Sequence, residues 1–97
     1  MNISINCSEI SSFADFIEIC NEGFIRTVGG EWNGNLDAFN DYLSWPEPTP
    51  YTLEIIGSTR CEEVLNYRES EKHRENVWPL LKEIFNDNSE WVNVVLK

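Results

Sequence analysis

The fold of this chain can be predicted outward from residues 35–57, which read NLDAFNDYLSWPEPTPYTLEIIG. Residues 36–44 predict a helix, because Asn35 is a favourable N-cap residue and apolar residues recur after it at helical spacing. Trp45-Pro46 should end this helix, since the residue before a proline disfavours the α conformation. The apolar face that should point to the core consists of Leu36, Phe39 and Leu43.

A proline-rich linker at residues 46–50 separates this helix from the next element. Three prolines in five residues prevent regular structure within it. Residues 51–56, YTLEII, are rich in β-branched and aromatic side chains and are followed by Gly57, so they predict a strand. The Thr49-Pro50 bond at the start of this strand is a candidate for the cis isomer.

The flanking sequence predicts two more strands and three more helices. The strands are residues 2–6 and 91–96. Amphipathic patterns predict one helix from about residue 10 up to Gly23 and another at 77–85, before the break at 86–89. A further short helix is predicted early in residues 58–76, and a solvated connection should follow it. Ser8 or Ser11 is the expected cap of the first of these helices, and residues 26–34, with three glycines, should form a loop.

The element order β-α-α-β-α-α-β predicts an α/β fold with a small three-stranded parallel sheet packed with helices. Helical crossovers between successive strands are the connections that parallel strands require. With 97 residues, the chain is too short for two hydrophobic cores, so residues 1–97 are expected to form a single domain.

Charge is the outlying property of the composition. The chain has 7 Lys and Arg against 17 Asp and Glu, a formal net charge of −10. Such a domain repels nucleic acid and anionic membranes, so a nucleic-acid-binding or membrane-binding function is not expected. A basic protein partner is the expected one.

The sequence also predicts a cytoplasmic protein. The longest apolar run in the C-terminal stretch is residues 94–96, and the N-terminus lacks the basic and apolar regions of a signal peptide. The three cysteines are Cys7, Cys20 and Cys61, an odd number without a CxxC pair. Buried, reduced thiols are therefore expected rather than a disulfide framework.

The residues that support catalysis are few. The single histidine, His73, lies in a run of charged residues and is expected to be an exposed helix residue. No His and Cys residues have the spacing of metal ligands, and Gly29-Gly30 with Gly34 does not form a dinucleotide-binding pattern. The sequence therefore predicts a protein that is not an enzyme and has no cofactor and no metal site.

An acidic window extends from Arg26 to Arg60, with no Lys or Arg between them. Within it, Asp37, Asp41 and Ser44 share one face of the predicted helix. The helix dipole explains Asp37 in the first turn but not Asp41. This face is either merely solvated or a binding surface, and the absence of a nearby basic residue favours the second.

The segment before this helix contains a turn and a tryptophan. Asn33-Gly34-Asn35 is typical of a plain turn. Trp32 either packs into the core or is displayed as a contact anchor, and the sequence favours neither.

Residues 35–43, NLDAFNDYL, together with the loop before them, resemble the second helix of the barstar family, intracellular inhibitors of secreted ribonucleases. The resemblance extends to the first strand and helix, to the second strand after Pro50 and to residues 92–96, and is weakest at residues 57–76. It implies a parallel three-stranded sheet, no catalytic activity and one acidic face that closes the basic active site of a ribonuclease.

The resemblance also implies individual roles. Asp41 would mimic an RNA phosphate opposite the Arg and His of the nuclease, and Asp37 would engage a second basic residue. Gly34 and Asn35 would shape the loop, and Ser44 would replace a threonine at the rim. An acidic residue near the end of the last helix would contribute, either Asp87 or Glu83.

The sequence departs from the family where aromatic residues are expected. The family's paired loop aromatics appear here as Glu31 and Trp32, and a helix tryptophan of the family appears as Asn40. Keeping the carboxylates while changing these residues suggests the same electrostatic strategy toward a different nuclease. The expected partner-binding residues are Glu31, Trp32, Asn33, Gly34, Asn35, Asp37, Asn40, Asp41, Ser44 and Asp87.

These residues predict an inhibitor, or immunity protein, that binds a cognate ribonuclease toxin one to one and is a monomer when free. Two alternatives stay open. One is an immunity protein against a toxin that cuts DNA or does other chemistry, and the other is a regulatory module for a basic cellular protein.

Overall fold

The structure, a computed structural model, describes residues 2–65 and 77–97. Within them it contains three strands and four α-helices, in the predicted α/β class. The strands are β1 (Asn2–Asn6), β2 (Tyr51–Ile56) and β3 (Val92–Leu96). The α-helices are α1 (Phe13–Cys20), α2 (Leu36–Tyr42), α3 (Ser58–Leu65) and α4 (Val77–Asp87). The expected connection after α3 and His73 lie outside the described residues.

The sheet has the order β1-β2-β3, and both strand pairs are parallel. Ile3 pairs with Leu53, which in turn pairs with Val94, so alternate apolar side chains meet on one face. The helices bury this face. On the opposite face, Asn2 and Ser4 of β1 are exposed, which explains why β1 alternates apolar and polar residues.

Helix α1 begins later than predicted. Its N-cap is Ser12, not Ser8 or Ser11, and the Ser12 hydroxyl accepts a hydrogen bond from the Asp15 N–H at 3.1 Å. Asp15 in turn accepts hydrogen bonds from the backbone N–H and the hydroxyl of Ser11. These bonds to the charged carboxylate lower the pKa of Asp15, so Ser11 supports the cap without being it.

Gly23 does not end the helix, contrary to the prediction. The chain continues through a π-helical turn at Asn21–Ile25 and a 3₁₀ turn at Arg26–Val28. Gly23 allows close packing there, since a β-carbon at this position would lie 3.1 Å from the Ser4 carbonyl oxygen of β1. The stop is Gly29, which has φ of 90°. The predicted loop over 26–34 is therefore irregular only from residue 29.

The expectation of three reduced cysteines is wrong. Cys7 and Cys61 form a disulfide, and Cys20 is free and buried. Cys7 follows β1, while Cys61 lies in the helix that follows β2. Because β1 and β2 are parallel neighbours, their carboxyl ends meet, as the hydrogen bond from the Cys7 N–H to the Ile56 carbonyl shows. Burial raises the pKa of the Cys20 thiol.

The prolines lie where their restricted backbone is tolerated. The Thr49-Pro50 bond is cis, as the sequence suggested, and the Glu47-Pro48 bond is cis as well. Pro79 lies in the first turn of α4, where a missing N–H interrupts no helical hydrogen bond.

Candidate functional site: helix α2 and the loop before it

Helix α2 begins as predicted. The Asn35 side-chain oxygen accepts a hydrogen bond from the Ala38 N–H at 3.1 Å, which makes Asn35 the N-cap. Phe39 and Leu43 are fully buried and Leu36 is partly buried, so the predicted apolar face contacts the core. The helix is two residues shorter than expected and ends at Tyr42.

The opposite side of α2 carries two exposed carboxylates, Asp37 and Asp41, which together are called the acidic face. Within the described residues, neither forms a salt bridge. Ser44 is exposed too, but its hydroxyl donates a hydrogen bond to the Asp41 carbonyl at 3.0 Å. The acidic face can therefore offer two anionic acceptors, with Ser44 closing the end of the helix.

Trp32 packs into the core. Its side chain is only 2% exposed, and its ring lies 4.7 Å from that of Phe39 and 5.8 Å from that of Phe13. The indole N–H donates to the Asn35 carbonyl at 2.7 Å. The structure therefore shows Trp32 packed into the core. The prediction that the Trp32 side chain contacts a partner is wrong, because that side chain is buried.

The turn at residues 33–35 is held by its own polar groups. The Asn33 side-chain oxygen accepts a hydrogen bond from the Asn35 N–H at 3.1 Å. Gly34 has φ of 101°, and a β-carbon there would lie 2.9 Å from the Ile17 Cδ1 atom. The positive φ favours glycine, and the end of the Ile17 side chain would have to move to admit a β-carbon. The loop-shaping role expected for Gly34 and Asn35 matches this geometry.

Asn21 also holds this loop, and sequence reasoning missed it. It is 1% exposed and lies in the π-helical turn. Its side-chain oxygen accepts from the Trp32 N–H at 2.7 Å, and its side-chain N–H donates to the Trp32 carbonyl at 3.0 Å. The signal in the sequence was a polar residue within an apolar stripe, between Cys20 and Phe24.

Glu31 is the exposed acidic residue of the loop, but it is paired. The Arg26 guanidinium donates to both carboxylate oxygens of Glu31, at 2.8 and 3.0 Å, and also to Glu18 at 3.2 Å. The Arg26 hydrogen bonds lower the pKa of Glu31. Arg26 therefore neutralises the charge of Glu31. The first acidic residue of the predicted window without a salt bridge among the described residues is Asp37.

Asn40 is exposed on α2, yet its side-chain oxygen is occupied. It accepts a hydrogen bond at 2.7 Å from Asn88, which directly follows α4. Phe39 and Phe85 pack in the same contact with ring centres 6.0 Å apart. These contacts place the C-terminal end of α4 beside α2. Asp87 and Glu83, the two acidic residues considered on α4, are both exposed.

The C-terminal end of α2 is fixed by tyrosines. The Tyr51 hydroxyl donates to the Leu43 carbonyl at 2.7 Å, and the Tyr42 hydroxyl donates to the Glu31 carbonyl at 3.1 Å. Trp45, which sequence reasoning treated only as the end of the helix, is 47% exposed and packs edge-on against Tyr42. An exposed tryptophan one turn beyond Asp41 adds an apolar element to this surface.

Two kinds of feature are absent from the described part of the chain. Among residues 2–65 and 77–97, no group of three His, Cys, Asp or Glu side chains could hold a metal ion. No helix in these two ranges is long and apolar enough to cross a membrane. In comparisons with known proteins, no protein-family model and no curated protein matches this chain.

Proposed function

We propose that this protein is an inhibitor of the barstar type, an immunity protein that occludes the basic active site of a cognate ribonuclease toxin. The observation that carries the proposal is the acidic face. Asp37 and Asp41 point into solvent without an ionic partner among the described residues, on a helix whose two ends are fixed by hydrogen bonds.

The cost of this arrangement supports a binding role. Two aspartates spaced i, i+4 repel each other and destabilise a helix by about 0.2–0.5 kcal/mol. The helix dipole favours Asp37 in the first turn, but a helix that only had to cover the core would gain by placing a Lys or Arg at position 41. A ribonuclease cleft binds phosphates with Arg, Lys and His, and carboxylates at phosphate positions would pair with the same groups.

The proposed mechanism has two stages. The net charge of −10 attracts a basic cleft over long range, so association should slow steeply as salt rises. In the complex, Asp41 would face the central phosphate-binding group and Asp37 a second basic residue. Asp87 or Glu83 of α4 would contact the edge of a standard interface of about 1,600 Å² in total.

Capture of the partner tests this function. The baits are the wild-type protein, the double variant Asp37→Asn/Asp41→Asn, and the control Glu9→Gln/Glu62→Gln, which removes the same charge from the loop before α1 and from α3. Extracts and medium of the source organism and its neighbours are applied at low salt. After denaturing release and refolding, the eluates are assayed for RNA cleavage.

We expect a ribonuclease from the wild-type and control baits and none from the double variant. A ribonuclease held equally by the double variant would contradict the role of the acidic face. A partner that cleaves DNA, or that is not a nuclease, would contradict a ribonuclease target.

With the partner in hand, Asp41→Ala should weaken binding by about 2–5 kcal/mol. This is the general cost of truncating one member of a buried interface charge pair, for which complexes of the barstar family are the standard example. The free energy of unfolding should change by less than about 0.5 kcal/mol, because the side chain is exposed. Calorimetry of binding and urea denaturation measure the two quantities. An Asp41→Ala variant that fails to fold would overturn the placement of Asp41.

A further inference from the structure

Asn21 is a buried polar residue whose hydrogen bonds lead to the candidate site. It is 1% exposed, and both its side-chain oxygen and its side-chain N–H bond to the backbone of Trp32. Asn21 and Trp32 are eleven residues apart, so these bonds join the π-helical turn after α1 to the loop at residues 31–35. The Asn21 side-chain amide thus pairs with both backbone polar groups of Trp32, as one residue pairs with another in an antiparallel β-ladder.

Two further hydrogen bonds lead from Trp32 to helix α2. With its backbone held, Trp32 donates its indole N–H to the Asn35 carbonyl, and Asn35 caps α2. Thus Asn21, Trp32 and Asn35 form one continuous chain of hydrogen bonds that ends at the helix of the acidic face.

We infer that Asn21 is a positioning residue, which fixes the loop at residues 31–35 and the start of α2 in the binding conformation before a partner arrives. This inference rests on the proposed function. Asn21 is buried under the loop, so its contribution to binding acts through Trp32. A loop ordered in advance loses less conformational entropy on association, which increases affinity without a new contact.

Hydrogen exchange tests the inference without a partner. In Asn21→Ala, the Trp32 amide loses its acceptor and the loop loses its attachment to the π-helical turn, so the Trp32 amide and indole protons should lose protection by about tenfold or more. The amide of Leu53, in the central strand, should change only with global stability. The control is Val92→Ala, in the edge strand β3, which lowers global stability and should lower the protection of Trp32 no more than that of Leu53.

A second variant separates positioning from general stability. Asn21→Asp is isosteric, but its ionised carboxylate cannot donate to the Trp32 carbonyl. Its protonated form can donate to that carbonyl and still accept from the Trp32 N–H. Burial raises the pKa of such a carboxyl. Protection of Trp32, corrected for intrinsic exchange rates, should therefore be near the wild-type value at low pH and fall as pH rises through that pKa.

The inference is overturned if Trp32 keeps its protection in Asn21→Ala, or if Asn21→Asp shows no dependence on pH beyond that of the wild type. It is also overturned if Asn21→Ala loosens the loop but binds a captured nuclease as tightly as Val92→Ala does. The expected result is an affinity about tenfold or more below that of Val92→Ala, through faster dissociation. Failure of the wild type to capture any nuclease would contradict the proposed function, and the exchange measurements would still decide the role of Asn21.

Discussion

The loop at residues 31–35 and helix α2 are adjacent in the chain but use their polar groups in opposite ways. In the loop, the side chains of Asn33 and Asn35 bond to nearby backbone, and Glu31 is held by Arg26. On α2, Asp37 and Asp41 are exposed with no salt bridge among the described residues. The loop therefore contributes shape, and the helix contributes charge.

This difference separates two reasons for a residue to matter in a binding site. A substitution in the loop should affect folding or rigidity first and binding through them. A substitution on the acidic face should affect binding and leave folding nearly unchanged. Residues that sequence reasoning grouped as one contact set thus divide into two classes with different measurable consequences.

The largest effect that tests this division is expected at Trp32. Trp32→Ala should lower the free energy of unfolding by about 3–5 kcal/mol, because a buried aromatic side chain leaves a cavity when truncated. Trp45→Ala is the matched control. Its side chain is 47% exposed and loses mainly its contact with Tyr42, an aromatic pair worth about 0.5–1.5 kcal/mol. Urea denaturation measures both, and equal losses would break the distinction between core and surface tryptophans.

A medium effect is expected at Gly34. Gly34→Ala and Gly29→Ala both place alanine at positive φ, at a cost of about 1–2 kcal/mol each. At Gly29 the new β-carbon meets nothing within 4 Å, whereas at Gly34 it would lie 2.9 Å from Ile17. The end of the Ile17 side chain can move aside, so overpacking should add about 1 kcal/mol, the low end of its usual cost, at Gly34 alone. Equal values of the unfolding free energy for the two variants would show that the loop does not pack closely against α1.

The smallest effect is expected at Glu31, and it depends on pH. Because the bonds from Arg26 lower the pKa of Glu31 below 4.5 in the folded protein, their stabilisation is present above that pH. It should be lost as pH falls through the folded pKa. A double-mutant cycle of Arg26→Gln and Glu31→Gln in urea measures the coupling at pH 7 and at acidic pH. A coupling that stays constant with pH, or that Glu62→Gln reproduces with Arg26→Gln, would contradict the pairing.

Much of the site could be predicted from local sequence. The N-cap of α2, its buried face and its exposed aspartates all depend on helical periodicity and on one residue that bonds to the helix end. These are interactions between residues three or four apart. The central strand and the cis bond at Pro50 also follow from adjacent residues, so the sequence predicted them correctly.

Several of the errors concern contacts between distant parts of the chain, whereas the N-cap of α1 and the pairing of Arg26 with Glu31 were missed although they are local. Gly23 was predicted to end a helix, but it allows close packing on β1. Arg26 was placed outside the acidic window, yet it neutralises Glu31. Nothing local distinguishes Asn40 as a contact residue from Asn40 as a partner of Asn88, 48 positions away.

By itself, the sequence determined the class of the fold, the position of α2 and the excess of negative charge, because periodicity, caps, turn residues and composition are local or additive properties. The tertiary structure decided which polar groups are used inside the protein. It paired Cys7 with Cys61, buried Trp32 and Asn21, and bonded Asn40 to Asn88. Those outcomes depend on which elements the parallel sheet brings together, and no local pattern encodes that proximity.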